Sequence, residues 1–245
     1  MPRKSTRPAD TVRLLELLWT PSEAVGRSGV SLEAVTEAAV TVADADGLEA
    51  VTMRRVAQEV GIGAMSLYTY VPGRPELVEL MLDSAASRVY ADRPLPADQG
   101  GWRAGIEYVV WSNWDNLREH PWVTDVPPGR PLLGPGVSIK FEHEIQPLDG
   151  IGLDDHAMNH LLTTVLSMTS EAARWQAGLD RIRDETELTD EEWWRTAEPV
   201  LTRAMEGLHL PIAARVGETV ASAGEPEASL RYGLGHLLDG VAATL

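Results

Sequence analysis

Residues 47–81 read GLEAVTMRRVAQEVGIGAMSLYTYVPGRPELVELM. The breaks between helical segments in this stretch decide the fold. Thr52 can cap a helix whose inward positions are Val56 and Val60, and Gly61 closes it. After Ile62 and Gly63 a short segment runs from Ala64 to Tyr70, and Pro72-Gly73 then breaks the chain. Pro75 suits the first turn of a further helix with Leu77, Leu80 and Met81 on its apolar face. Upstream, Leu32, Val35, Ala39 and Val42 recur at spacings of three and four between a capping Ser31 and an Asp46-Gly47 stop. A glycine free to take positive φ lets one short helix cross the next, which is the requirement of a helix-turn-helix. The segment after Gly61 carries too few apolar residues for ordinary core. Its Ala64 and Ser66 permit close approach to a duplex, while Met65, Tyr68, Thr69 and Tyr70 offer methyl, hydroxyl and ring contacts.

Outward from this stretch the periodicity stays helical. Thr11 to Trp19 reads as a helix, as does Trp102 to Glu119, which Pro121 ends. Val126 to Gly136 holds four Pro and three Gly and reads as a loop. Asp154 or Asp155 starts a long helix through Leu161, Val165, Met168 and Ala172 to about Gln176. A charged span, Asp180 to Glu192, leads to a helix from about Glu191 to Leu208. The last stretch, Glu227 to Leu245, puts Leu230, Leu234, Leu237, Leu238 and Val241 on one face. No hairpin signal interrupts the pattern, so the chain is expected to be all-α. The expected organisation is an N-terminal extension (1–30), a helix-turn-helix DNA-binding domain (31–77) and a larger helical ligand-binding and dimerisation domain (78–245).

Composition narrows the function. The 245 residues carry 37 acidic and 21 basic side chains, a net charge of −16, which excludes a basic coat over the whole surface. Residues 1–90 hold nine basic and twelve acidic side chains; residues 91–245 hold twelve and twenty-five. Within the first part, Val51 to Arg74 sets Arg54, Arg55 and Arg74 against Glu59 alone. A locally basic head thus precedes an acidic body, and that body holds seven of the eight Trp. The absence of cysteine excludes disulfides, thiol nucleophiles and thiolate metal sites. No apolar run reaches the ~18 residues of a membrane span, and a cytoplasmic protein is expected.

The quoted stretch resembles the DNA-binding head of the TetR family, one-component bacterial repressors. The resemblance rests on Thr52-Met53, Arg54-Arg55-Val56-Ala57, Val60-Gly61-Ile62, Leu67-Tyr68 and Pro75-Glu76-Leu77, and it covers residues 31–77 closely. The ending RYGLGHLLDGVAATL is similar to the terminal dimer helix of the tetracycline-repressor group. The resemblance implies that Thr52, Met53 and Arg54 sit at the groove edge, with Arg54 on a guanine. It implies that Ala64, Met65, Ser66 and Tyr70 face base edges, that Thr69 belongs to the same surface, and that Tyr68 and Arg74 bind phosphate. Ala64 and Met65 stand where the family often has polar residues, so readout leans on thymine methyls or on duplex shape. The place of the histidine that contacts tetracycline falls on Tyr90, so a tetracycline–magnesium ligand is not implied.

The partners implied are a palindromic duplex operator, a small hydrophobic or aromatic effector, and a second copy. The second copy would pair through helices at about 154–176 and 227–245, where Ser167, Thr169, Ala172, Gly233 and Gly240 permit close approach. Trp111, Trp114, Trp122, Met168 and Trp175 are the candidate effector contacts; for Trp111, Trp114 and Trp175, plain core packing carries equal weight. Arg3, Lys4 and Arg7 could reach a minor groove, but a disordered, solvated terminus is the preferred reading. Catalytic patterns fail on inspection. His143-Glu144 opens a zinc-protease motif, but Pro147 occupies the second His position. His156 and His160 lie one helical turn apart and could bind a metal, but a surface pair or hydrogen bonds on a dimer face are the preferred reading of that spacing. No enzyme, metal site or cofactor is therefore expected. Two alternatives are kept: a metal-dependent hydrolase using His143, His156 or His160, and a protein-interaction module that does not touch DNA.

Overall fold

The computed structural model describes residues 8–19, 29–127, 129–220 and 224–245, and all regular structure among them is helical. Arg3, Lys4 and Arg7 lie outside the described residues. The head consists of α1 (Pro8–Leu18), α2 (Leu32–Asp46), α3 (Met53–Glu59), α4 (Ala64–Leu67) and α5 (Arg74–Arg88). The ends of α2 form where the sequence places them, whereas α1 begins at Pro8 rather than Thr11 and α4 stops at Leu67 rather than Tyr70. Ser31 Oγ accepts the Ala34 N–H at 3.1 Å, and Gly47, at φ +81°, donates its N–H to Ala43 O at 2.9 Å. Val35, Ala39, Val42, Val56, Leu67, Leu77 and Met81 fill the core between these helices. The core of the head continues past residue 77. Val78, Leu80, Met81 and Ala85 belong to the same core, and Leu18 of the expected extension joins it.

The body packs α6 (Trp102–Glu119), α7 (Pro135–Ile145), α8 (Asp155–Thr186) and α11 (Pro226–Ala242) around Ile106, Val110, Leu162, Val165, Leu234 and Leu238. Helix α7 begins inside the expected loop. Pro135 suits its first turn, and the buried Asp83 carboxylate of α5 accepts the N–H groups of Gly136 (3.1 Å) and Val137 (2.9 Å). Helix α8 runs ten residues past Gln176, and Arg183 near its end is held by Asp180 of the same helix at 3.3 Å and by Asp190, beyond the helix, at 2.6 Å. Helix α9 (Asp190–Ala204) opens on a Thr189/Glu192 capping box and ends before Leu208; α10 (Pro211–Val220) follows, where no helix was expected. Neither buries a residue, and Trp193, Val200, Leu201, Ile212 and Val216 are exposed. No helix among the described residues is long and apolar enough to cross a membrane.

Candidate nucleic-acid interface

Helix α3 starts where Thr52 Oγ1 accepts the Arg55 N–H at 3.2 Å. It ends in a Schellman turn: Ile62 N–H reaches Ala57 O at 2.9 Å, Gly61 N–H reaches Gln58 O at 3.2 Å, and Gly61 takes φ +72°. A side chain at Gly61 would strain this left-handed position, so glycine fixes the angle at which α4 leaves. Helix α4 is one turn long and is anchored by a single buried side chain, Leu67. Around that anchor Ala64, Met65, Ser66, Tyr68 and Thr69 are all exposed, Met65 to 80%. Arg54 is exposed on α3, and Thr52 beside it is exposed too. One short helix therefore presents a methyl-rich tip flanked by hydroxyls, with a guanidinium on the helix before it.

Three expected contacts sit elsewhere. Met53 is 8% exposed and packs into the head core, because the first residue of α3 faces inward; it is not at a groove edge. The Tyr70 ring is half-buried against the same core rather than turned to the surface. Arg74 is a strut: its Nε donates to Val51 O at 2.7 Å and its Nη2 to Leu48 O at 2.8 Å, tying α5 to the turn Leu48–Ala50. Arg55 pairs with Asp46 and Glu59 at 3.7 and 3.8 Å. Thr69 donates its hydroxyl to Ser66 O at 2.7 Å.

The candidate effector contacts do not converge. Trp111 lies under the Arg231 guanidinium, 4.3 Å from its ring centre, and meets Trp114 edge-on. Trp114 is body core, and Met168 is half-buried near Gly233 of α11. Trp175 is 44% exposed beside Gly224. Trp122 is 1% exposed and belongs to the core of the head. It does border a groove of about 860 Å³ between the end of α2, the end of α6 and α8. His156 and His160 face solvent with ring centres 6.4 Å apart.

One site escaped sequence reading. Glu144 of α7 is 1% exposed and accepts from Tyr90 OH (3.0 Å), Asn113 Nδ2 (2.5 Å) and Lys140 Nζ (2.7 Å). Burial, and then the Glu144 charge, push the Tyr90 hydroxyl well above the ordinary tyrosine range, so it stays a donor. With Asp83 at the other end of α7, this network rivets α7 to α5 at two points. Nothing local marks it, since the four residues come from α6, α7 and the segment after α5.

A glycine-turned, outward-facing recognition helix on a small helical head defines a helix-turn-helix DNA-binding regulator. The family profile described as bacterial regulatory proteins, tetR family, matches residues 35–81, and that of the tetracyclin repressor-like C-terminal domain matches residues 94–245. The chain belongs to the TetR family of transcriptional regulators and is not an enzyme. It is 38% identical over 237 residues to the HTH-type transcriptional repressor DrrR1 of Streptomyces coeruleorubidus, covering 95% of this chain and 86% of that protein. An HTH-type transcriptional regulator of Saccharopolyspora erythraea is 26% identical over 216 residues, covering 86% and 84%. The Streptomyces coelicolor TetR family protein ActR, solved in complex with (S)-DNPA, shares the fold. Its TM-score is 0.66 at 22% identity, covering 88% of this chain and 98% of that one. Family membership leaves no support for the hydrolase or for an interaction module that ignores DNA.

Proposed function

We propose that this protein is a cytoplasmic repressor that grips a palindromic operator as a homodimer and leaves it when a small hydrophobic or aromatic effector binds the body. The observation that carries the reading is the exposed set Arg54, Met65, Ser66 and Tyr68 around the buried Leu67. Arg54 reads a guanine, Met65 and Ala64 meet thymine methyls, and the hydroxyls of Thr52, Ser66, Tyr68 and Thr69 lie beside them for phosphates and base edges. Two heads held about 34–36 Å apart fit successive major grooves. Pairing through α8 and α11 is supported by their exposed outer faces, which carry His160, Thr163 and Ser167 on one and Tyr232, His236 and Gly240 on the other. An effector in the body is supported by the similarity to ActR, which was solved with a small molecule bound.

Selection of duplexes from a random pool by the full-length protein, followed by binding titrations, tests the reading. Arg54→Ala is expected to weaken the selected operator by about 1–3 kcal/mol and to leave random duplex nearly unchanged, whereas Tyr68→Phe weakens both alike. Failure to enrich any palindrome would refute it. Compounds that release the enriched duplex then identify the effector class.

A further inference from the structure

The head meets the body at three places: at α5, shared by both and pinned to α7 through Asp83; at Trp19, just after α1, whose indole N–H donates to Leu133 O at 2.8 Å; and at the turn Pro121–Asp125, which follows α6 and belongs to the body by chain order. Its Trp122 is inserted into the head core, and the indole Nε1–H donates to Asp44 Oδ1, on the last turn of α2, at 2.7 Å. The buried His120 places Nδ1 2.8 Å from the same oxygen. One carboxylate oxygen of the head thus takes two bonds from the body. Behind the turn, Arg174 of α8 donates both Nε and Nη2 to Thr124 O, at 3.1 and 2.6 Å. A continuous chain of directional bonds therefore runs from α8 through the turn to α2. With α5 and Trp19 as the other attachments, the head cannot tilt against α8 without straining this chain.

We infer that Asp44, Trp122 and Arg174 form a coupling joint that sets the separation of the two heads and so regulates which operator spacing the protein accepts. The inference rests on the proposed two-headed DNA binding, because α8 is the helix through which two copies would pair. A polar joint suits this task. Apolar packing alone tolerates small rotations, whereas a shared acceptor with two donors loses its bonds over a fraction of an ångström. The charge on Asp44 strengthens both bonds, and the two buried rings keep the joint from sliding. A groove beside the joint is lined by Asp44, Trp122 and Leu117.

The chain has no cysteine, so a single Gln58→Cys on the exposed face of α3 carries one spin label per head. Pulsed electron paramagnetic resonance on the full-length dimer then reads the distribution of distances between heads. Asp44→Ala removes the acceptor, Trp122→Phe removes one donor and keeps a ring, and Asp44→Asn keeps an oxygen acceptor without its charge; Trp193→Phe, at an exposed position of α9, is the control. The distribution is expected to broaden for Asp44→Ala and Trp122→Phe, to recover in part for Asp44→Asn, and to stay unchanged for Trp193→Phe. In unlabelled protein, the preference for the selected operator over one with its half-sites two base pairs further apart falls about tenfold, while affinity for a single half-site holds. If Asp44→Ala does not fold, Trp122→Phe and Asp44→Asn decide. A folded Trp122→Phe with the wild-type distance distribution and spacing preference overturns the joint. Failure to select any operator refutes the proposed function instead, with the distances still judging the joint, and absence of any distance between heads overturns both.

Discussion

Leu67 and Met65 sit two residues apart in a four-residue helix, one fully buried and the other 80% exposed. Truncating each to alanine should separate stability from recognition. A single helical turn does not form alone, because nucleation carries an equilibrium factor of roughly 10⁻³. Helix α4 therefore stands on its tertiary anchor, and that anchor is Leu67. Large-to-small replacement at such a site costs about 2.7–5 kcal/mol. The loss falls first on α4, whose opening removes the recognition surface, so operator affinity should drop about a hundredfold or more. Met65→Ala leaves the fold within about 0.5 kcal/mol of wild type. It deletes three side-chain heavy atoms, each worth about 0.8 kcal/mol when buried on a partner, so operator binding weakens by about 2 kcal/mol, close to thirtyfold. Thermal melts and anisotropy titrations on the selected operator give both quantities. If Met65→Ala melted as early as Leu67→Ala, or bound the operator as tightly as wild type, the outward presentation of α4 would be wrong. Replacing operator thymines by uracil adds a second reading, since the methyl groups are the expected contact.

Two further outcomes follow from the riveting of α5 to α7. A Cβ at Gly136 would overlap the Asp83 carbonyl and press on Ser87 Cβ, so Gly136→Ala should destabilise the fold by about 1–3 kcal/mol in urea denaturation, and a neutral result would show that α7 is free to shift. For Tyr90 the folded state holds the phenolic proton more tightly than the unfolded state, whose tyrosine titrates near 10. Its contribution is therefore complete below about pH 10 and is lost as pH rises above it, by about 1.4 kcal/mol per pH unit. Denaturation of wild type and Tyr90→Phe between about pH 9 and 11 should show that extra slope in wild type alone.

What was legible in the sequence was local. Ser31, Gly47, Thr52, Gly61 and Pro75 act on backbone groups within four residues of themselves, so their effect can be read without knowing the rest of the fold. Leu67 inside and Tyr68 outside follow from the same one-turn geometry. The misreadings each depend on a distant partner. The start of α7 needed the Asp83 carboxylate from α5, fifty-three residues earlier, before a run rich in Pro and Gly could read as a helix start. The family resemblance makes Arg74 a phosphate ligand, yet Val51 and Leu48 hold carbonyls within its reach. Met53 shares a motif with Arg54, but a residue in the first turn of α3 has its direction set by how α3 lies on α2. Trp122 was the hardest, since its composition and chain position both assign it to the body.

That tryptophan bears on how such proteins can be recombined. A foreign head spliced on ahead of α5 would arrive with its own cavity, shaped for some other plug, while this body still extends an indole and expects a carboxylate to receive it. Grafts of that kind would work when the turn Pro121–Asp125 travels with the incoming head, and lineages that trade heads should trade this distant turn along with them.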